Sequence, residues 1–160
     1  MSRRHTETTV IARTVVRTVV PLVLVTAIAL LLQGHNLPGG GFIAGVLTVT
    51  AFALVYVIYG QEYLEEELLG APPSPSSLVV RHAAVTYYRA AFAVGLAVAA
   101  GSGLAAVAVG YPFLTQTVYF LHDLPVYHEM EVATALAFDV GVYLVVVGGL
   151  LTVLGMVGSE

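Results

Sequence analysis

Four apolar stretches, at residues 18–32, 39–59, 90–110 and 132–154, dominate this chain of 160 residues. Each approaches or reaches the roughly 20 residues that cross the hydrocarbon core of a bilayer. Lipid offers a backbone no hydrogen-bond partner, so each run must satisfy its own N–H and C=O groups, and the α-helix does this within one segment. The expected fold is therefore an all-α integral membrane protein with four transmembrane helices, forming a single membrane domain over 1–160. Composition agrees. Hydrophobic residues make up 58% of the chain and charged residues 10%, with a mean hydropathy of +0.90, whereas a soluble domain is about a quarter charged.

The connections set the topology. Only a short turn separates the first two runs, which makes them an antiparallel helical hairpin. The first run, TVVPLVLVTAIALLL from Thr18 to Leu32, leads straight into a second span and reads as a retained helix rather than a signal peptide. Pro21 then falls in its first turns, where a missing N–H is cheapest. Residues 60–89 hold an acidic run (Glu62, Glu65, Glu66, Glu67) and the breaker-rich APPSPSS at 71–77, and are expected to form a polar loop. Residues 111–131 are too interrupted by Pro112 and Pro125 to span. With four spans, both termini and the 60–89 loop share one side, and all six Arg residues (Arg3, Arg4, Arg13, Arg17, Arg81, Arg89) lie there. Short cytoplasmic segments hold the excess of positive charge, so both termini are expected inside the cell.

Several chemistries are excluded. The chain has no Cys, which removes disulfides, thiol nucleophiles and thiolate metal ligands. A net charge of −4 with no Lys does not suit nucleic acid. His122, Asp123, His128 and Glu129 lack the fixed spacing of a metal site, and the Gly-rich turn lacks the Lys of a phosphate-binding loop. No metal or cofactor is expected.

Two segments stand out against the apolar background. The first is QGHNLPGGGFIAG at 33–45, where Pro38 ends a turn and Gly39, Gly40 and Gly41 open the second helix with almost no side-chain bulk. Gly41 and Gly45 form a GxxxG step, which in lipid favours close packing of another helix. The second is Asp139 in the last span. A carboxylate within an apolar helix marks an ion or proton path, or a pairing site that fixes assembly. Tyr143 shares its face at i+4, and His128 would do so at i−11 if that helix began early. Glu129 and Glu131 would stand at the mouth of the same helix. His35 lies on the same side of the membrane, and His titrates near neutral pH.

Taken whole, these segments resemble the B subunit of the Mrp-type multisubunit cation/proton antiporters, the MnhB/MrpB family. Gly34, His35, Pro38, Gly39, Gly40, Gly41, Phe42 and Gly45 match a G-H-x-x-P-G-G-G-F-x-x-G turn, and Phe138, Asp139, Val140, Gly141, Val142 and Tyr143 read like an F-D-x-G-V-Y segment. The Pro and Ser linker at 71–77 and the aromatic 111–131 connection depart from the pattern. The resemblance implies a plasma-membrane transport subunit without catalytic activity of its own, working with other membrane subunits to exchange Na+ for H+. It equally implies relatives in hydrogenase-like complexes related to respiratory complex I. A purely structural scaffold is a further alternative. The candidate ion path comprises Asp139, Tyr143, His35, Glu131 and His128, and the candidate packing and turn residues are Pro38, Gly39, Gly40, Gly41, Phe42, Gly45 and Gly141.

Overall fold

A computed structural model describes residues 10–33, 40–59, 77–115, 118–122, 129–133 and 135–157, with side-chain placement at 11–33, 40–59, 85–115 and 135–157. The helices are α1 (Val10–Leu32), α2 (Gly40–Tyr59), α3 (Ser77–Ala108) and α4 (Ala135–Val157). All four contain a segment long and apolar enough to cross a membrane.

Three boundaries differ from the sequence expectation. Helix α1 starts at Val10 rather than Thr18. Arg13 and Arg17 lie exposed one turn apart while Val16 is buried, so the charged flank is itself one face of a helix. Pro21 consequently sits in the helix interior, where it removes the hydrogen bond an N–H would give the Arg17 carbonyl. Helix α3 starts at Ser77, not Ala90, so residues 77–89 are helical and not part of a polar loop. The last Ser of the Pro/Ser run stands where helix-opening residues are favoured, and a Val- and Ala-bearing segment follows. With 32 residues α3 is about 48 Å long, against a hydrocarbon core of about 30 Å. Helix α4 starts at Ala135, because residues before it are in strand: β1 (Val118–His122) pairs antiparallel with β2 (Glu129–Ala133), from Val118 opposite Ala133 to His122 opposite Glu129. Glu129 and Glu131 are thus on a strand preceding α4, and α4 does not begin early enough to carry His128.

The helices form a row in the order α1, α2, α4, α3, with α2 and α4 in the middle. Antiparallel α1 and α2 meet through Val16 and Val55, flanked by Val20, Phe52 and Tyr59. The Tyr59 hydroxyl reaches the Arg13 carbonyl at 3.4 Å. The same register sets Ala27 level with Ala44, and both are almost fully buried. The α3 and α4 pair is also antiparallel: Gly141 faces Ala99, Gly148 faces Phe92 and Tyr88, and Gly95 faces Gly141 and Leu144. Helices α2 and α4 run parallel, Gly41 meeting Asp139 and Gly45 meeting Tyr143 and Val146. The outer helices leave apolar faces uncovered, as at Ile11, Leu22 and Val25 of α1 and Leu96 and Leu104 of α3, which suits surroundings of lipid or other helices.

Helix α3 ends in a glycine cap. Gly110, at φ 88°, donates its N–H to the Val107 carbonyl at 2.9 Å, and Tyr111 donates to Ala106 at 3.0 Å. Pro112 then blocks continuation, and the Phe113 ring folds back onto the bare backbone of Gly103.

Stability should read this packing directly. A methyl group at Gly148 would fall 2.6 Å from the Phe92 nitrogen and the Tyr88 oxygen, whereas one at Gly101 meets nothing within 4 Å. We predict that Gly148→Ala destabilises the detergent-solubilised chain by about 1–3 kcal/mol. Gly101→Ala should leave stability unchanged or raise it by up to about 1 kcal/mol. Thermal melts of a fluorescently tagged chain measure both, and equal melting points would refute the assigned α3–α4 contact.

Candidate functional site

The two distinctive sequence segments meet in space. A Cβ on Gly41 would strike the Asp139 carbonyl oxygen, and would lie 2.9 Å from its carbon and 3.0 Å from its Cα. Four residues on, a Cβ on Gly45 would lie 2.8 Å from the Val146 Cβ and 3.3 Å from the Tyr143 carbonyl oxygen. Helix α2 therefore rests backbone to backbone against the first turns of α4, and only glycine permits that approach. Gly40, Gly41, Ala44 and Gly45 are buried, and Phe42 projects outward.

On α4, Asp139 and Tyr143 follow one another along the side that meets α2. Gly141, two residues and about 200° round the helix from Asp139, points the other way, where a Cβ would lie 2.6 Å from the Ala99 nitrogen. Alternation within Phe138–Tyr143 thus serves two helices at once. Asp139 is half-buried, in the second turn of α4. Because α2 and α4 are parallel, both helix N-termini open toward this end of the bundle, and their backbone dipoles together favour negative charge around it.

Deeper in the same seam the Tyr143 hydroxyl and Thr48 Oγ1 share a hydrogen bond of 3.2 Å. Thr48 is the buried polar side chain among the described residues, 5% exposed. Sequence reasoning points to Tyr143 but not to Thr48, which sits at i+7 from Gly41 and so on the same helix face. That spacing is the available signal. Of the remaining candidates, Glu131 is on β2, opposite Phe120. His35, Pro38, Gly39 and His128 lie outside the described residues.

Comparison with known proteins places these features in a family. Residues 11–152 match the domain described as related to the MnhB subunit of Na+/H+ antiporter. The chain is 34% identical over 152 residues to the B subunit of the Na+/H+ antiporter of Alkalihalophilus pseudofirmus, covering 94% of this chain and 93% of that protein. It is 34% identical over 150 residues to the protein of the same name in Bacillus subtilis, with the same shares covered. Among solved structures it is similar to a chain in the Mrp complex from Dietzia sp. DQ12-45-1b, with a TM-score of 0.66 and 29% identity. The match takes in 93% of this chain but 14% of that much longer one.

The two glycines are not equivalent. At Gly41 an added methyl meets main chain, which cannot turn aside, while at Gly45 it meets chiefly the Val146 side chain. We predict that Gly41→Ala reduces recovery of folded protein more than Gly45→Ala, and that Leu at either position abolishes it. Size-exclusion profiles in mild detergent provide the readout, and normal recovery of Gly41→Leu would show that the α2–α4 contact is dispensable.

Proposed function

The chain belongs to the family of proteins related to the MnhB subunit of Na+/H+ antiporters, and from that premise we propose that it is a plasma-membrane subunit of a multisubunit monovalent cation/proton antiporter. It contributes to assembly and to the ion path, as a transport component without enzymatic chemistry of its own. Its partners are the other membrane subunits and the surrounding bilayer, and the transported species are Na+ and H+. The observation that carries this reading is the backbone contact of Gly41 with Asp139, which sets the one charged residue of the apolar helix α4 beside the glycine-bearing first turn of α2.

In this reading Asp139 holds the proton or cation at the outer end of the α2–α4 seam and Tyr143 lines the next turn. His35, His128 and Glu131 furnish titratable groups at the entrance. Gly41 lets α2 reach α4 at backbone distance, and Pro38, Gly39 and Gly40 belong to the turn and packing residues of the same reading. Arg13, Arg17 and Arg89 all lie toward the opposite end of the bundle from Asp139, which by the distribution of positive charge is the cytoplasmic end. Both termini are then cytoplasmic.

Asp139→Asn keeps size and polarity but cannot titrate. We expect it to assemble with the partner subunits and to lower cation-dependent proton flux by at least about tenfold in everted vesicles, normalised to assembled complex, with Glu restoring part of the activity. Reduced assembly with unaltered flux per complex would assign Asp139 to scaffolding instead. Orientation is separately testable, because the chain has no native Cys. Thr115→Cys should react with a membrane-impermeant maleimide on intact cells and Ser159→Cys only after lysis, and the opposite pattern would invert the topology.

A further inference from the structure

We propose that the cytoplasmic half of α1 is a docking surface for a transmembrane helix of another subunit, one that carries a carboxylate for the Arg17 guanidinium and, deeper in the bilayer, a hydrogen-bond donor for the Arg17 carbonyl. The inference rests on the reading of this chain as one subunit of a membrane complex, and names the chemistry by which a partner recognises it.

Depth is set by α2. Its 20 residues, Gly40–Tyr59, measure about 30 Å, the thickness of the hydrocarbon core, and the hydroxyl of its last residue, Tyr59, reaches the Arg13 carbonyl. Arg13 thus stands at the cytoplasmic boundary, and Arg17, one turn on, is about 6 Å inside it. Arg17 is exposed, whereas Val16 and Ala27 of the same helix are buried, and no element among the described residues covers it. A guanidinium within hydrocarbon calls for a pairing group, and the same residue has a second need. In an α-helix the Arg17 carbonyl would accept from the N–H of residue 21, which is Pro21 and has none. The hydroxyls nearby are committed elsewhere, Thr18 donating to the Thr14 carbonyl at 3.2 Å and Tyr59 to that of Arg13 at 3.4 Å. A lipid phosphate suits the first need, because Arg can extend its stem to headgroup level. It does not meet the second. Phosphate accepts and does not donate, and the carbonyl is fixed in the backbone, pointing along the helix axis toward Pro21 and away from the headgroups. A backbone group left unsatisfied in lipid is costly, and a neighbouring helix supplies the missing donor.

Two substitutions should move stability and assembly in opposite directions. Pro21→Ala restores the N–H, so the chain alone in detergent should melt higher, while the partner's donor loses its acceptor and recovery of the chain with other subunits should fall by about two- to tenfold, the effect of one hydrogen bond. Arg17→Leu suits lipid better than Arg does and should keep or raise the melting point, yet it strands the partner's carboxylate and should lower recovery by at least about tenfold. Arg3, Arg4 and Arg13 remain to hold the orientation. A benzophenone side chain introduced at Thr18 should form its photoadduct with another subunit of the assembled complex. Wild-type recovery with either variant overturns the proposal, as does a loss of recovery that tracks a lower melting point. A photoadduct with phospholipid alone, or none with protein, also overturns it and assigns this face of α1 to lipid. Failure of the underlying reading looks different: the wild-type chain then purifies without any other membrane subunit, whereas a wild-type complex indifferent to these substitutions sinks the docking surface only.

Discussion

Everything in this bundle depends on α4 being approached at backbone distance from two sides. In water, burial of apolar side chains would draw four such helices together. In lipid that drive is absent, and association rests on van der Waals contact, which falls away steeply with separation. Glycine is the means of shortening the distance. Helix α2 brings its own glycines, Gly41 and Gly45, to α4, whereas α4 supplies Gly141 and Gly148 toward α3 and meets Gly95 there. Helix α1 has no glycine and instead packs on α2 through Val16, Val55 and their aliphatic and aromatic neighbours.

Close packing also decides where polarity can survive. Once α2 and α4 touch through bare backbone at Gly41 and Asp139, the side chain of Tyr143 is brought against α2. The hydroxyls of Tyr143 and Thr48 satisfy one another inside an otherwise apolar interface. The contact that holds the helices together and the chemistry proposed for the site are one arrangement, so an assembly phenotype and a transport phenotype must be separated by normalising to intact complex.

The existence and number of the helices are legible in the sequence because each must satisfy its backbone within one apolar run. Their ends are not. Arg13 and Arg17 read as a flank because charge suggests water, yet long side chains on one helix face can leave the hydrocarbon while the backbone stays helical. Ser77 to Arg89 reads as loop because of the prolines just before it, and those prolines mark instead the point from which α3 can start. The strands at 118–122 and 129–133 are hidden because five-residue segments of mixed polarity carry little periodicity. At the site, Asp139 is conspicuous as a charge in a greasy helix, but the partner of its neighbour Tyr143 is not, since nothing in one sequence says that position 48 lies beside position 143.

The spacing of glycines along α4 has a mechanical consequence. Gly141 and Gly148 are seven residues apart, nearly two turns, and each fills a gap against α3 too small for any side chain. Sliding α4 along α3 by one turn, about 5.4 Å, would drive Val145 and Thr152 into those gaps. Helix α4 is therefore gripped in its axial register against α3. Movements that keep the α3–α4 pair intact leave both glycine contacts in place.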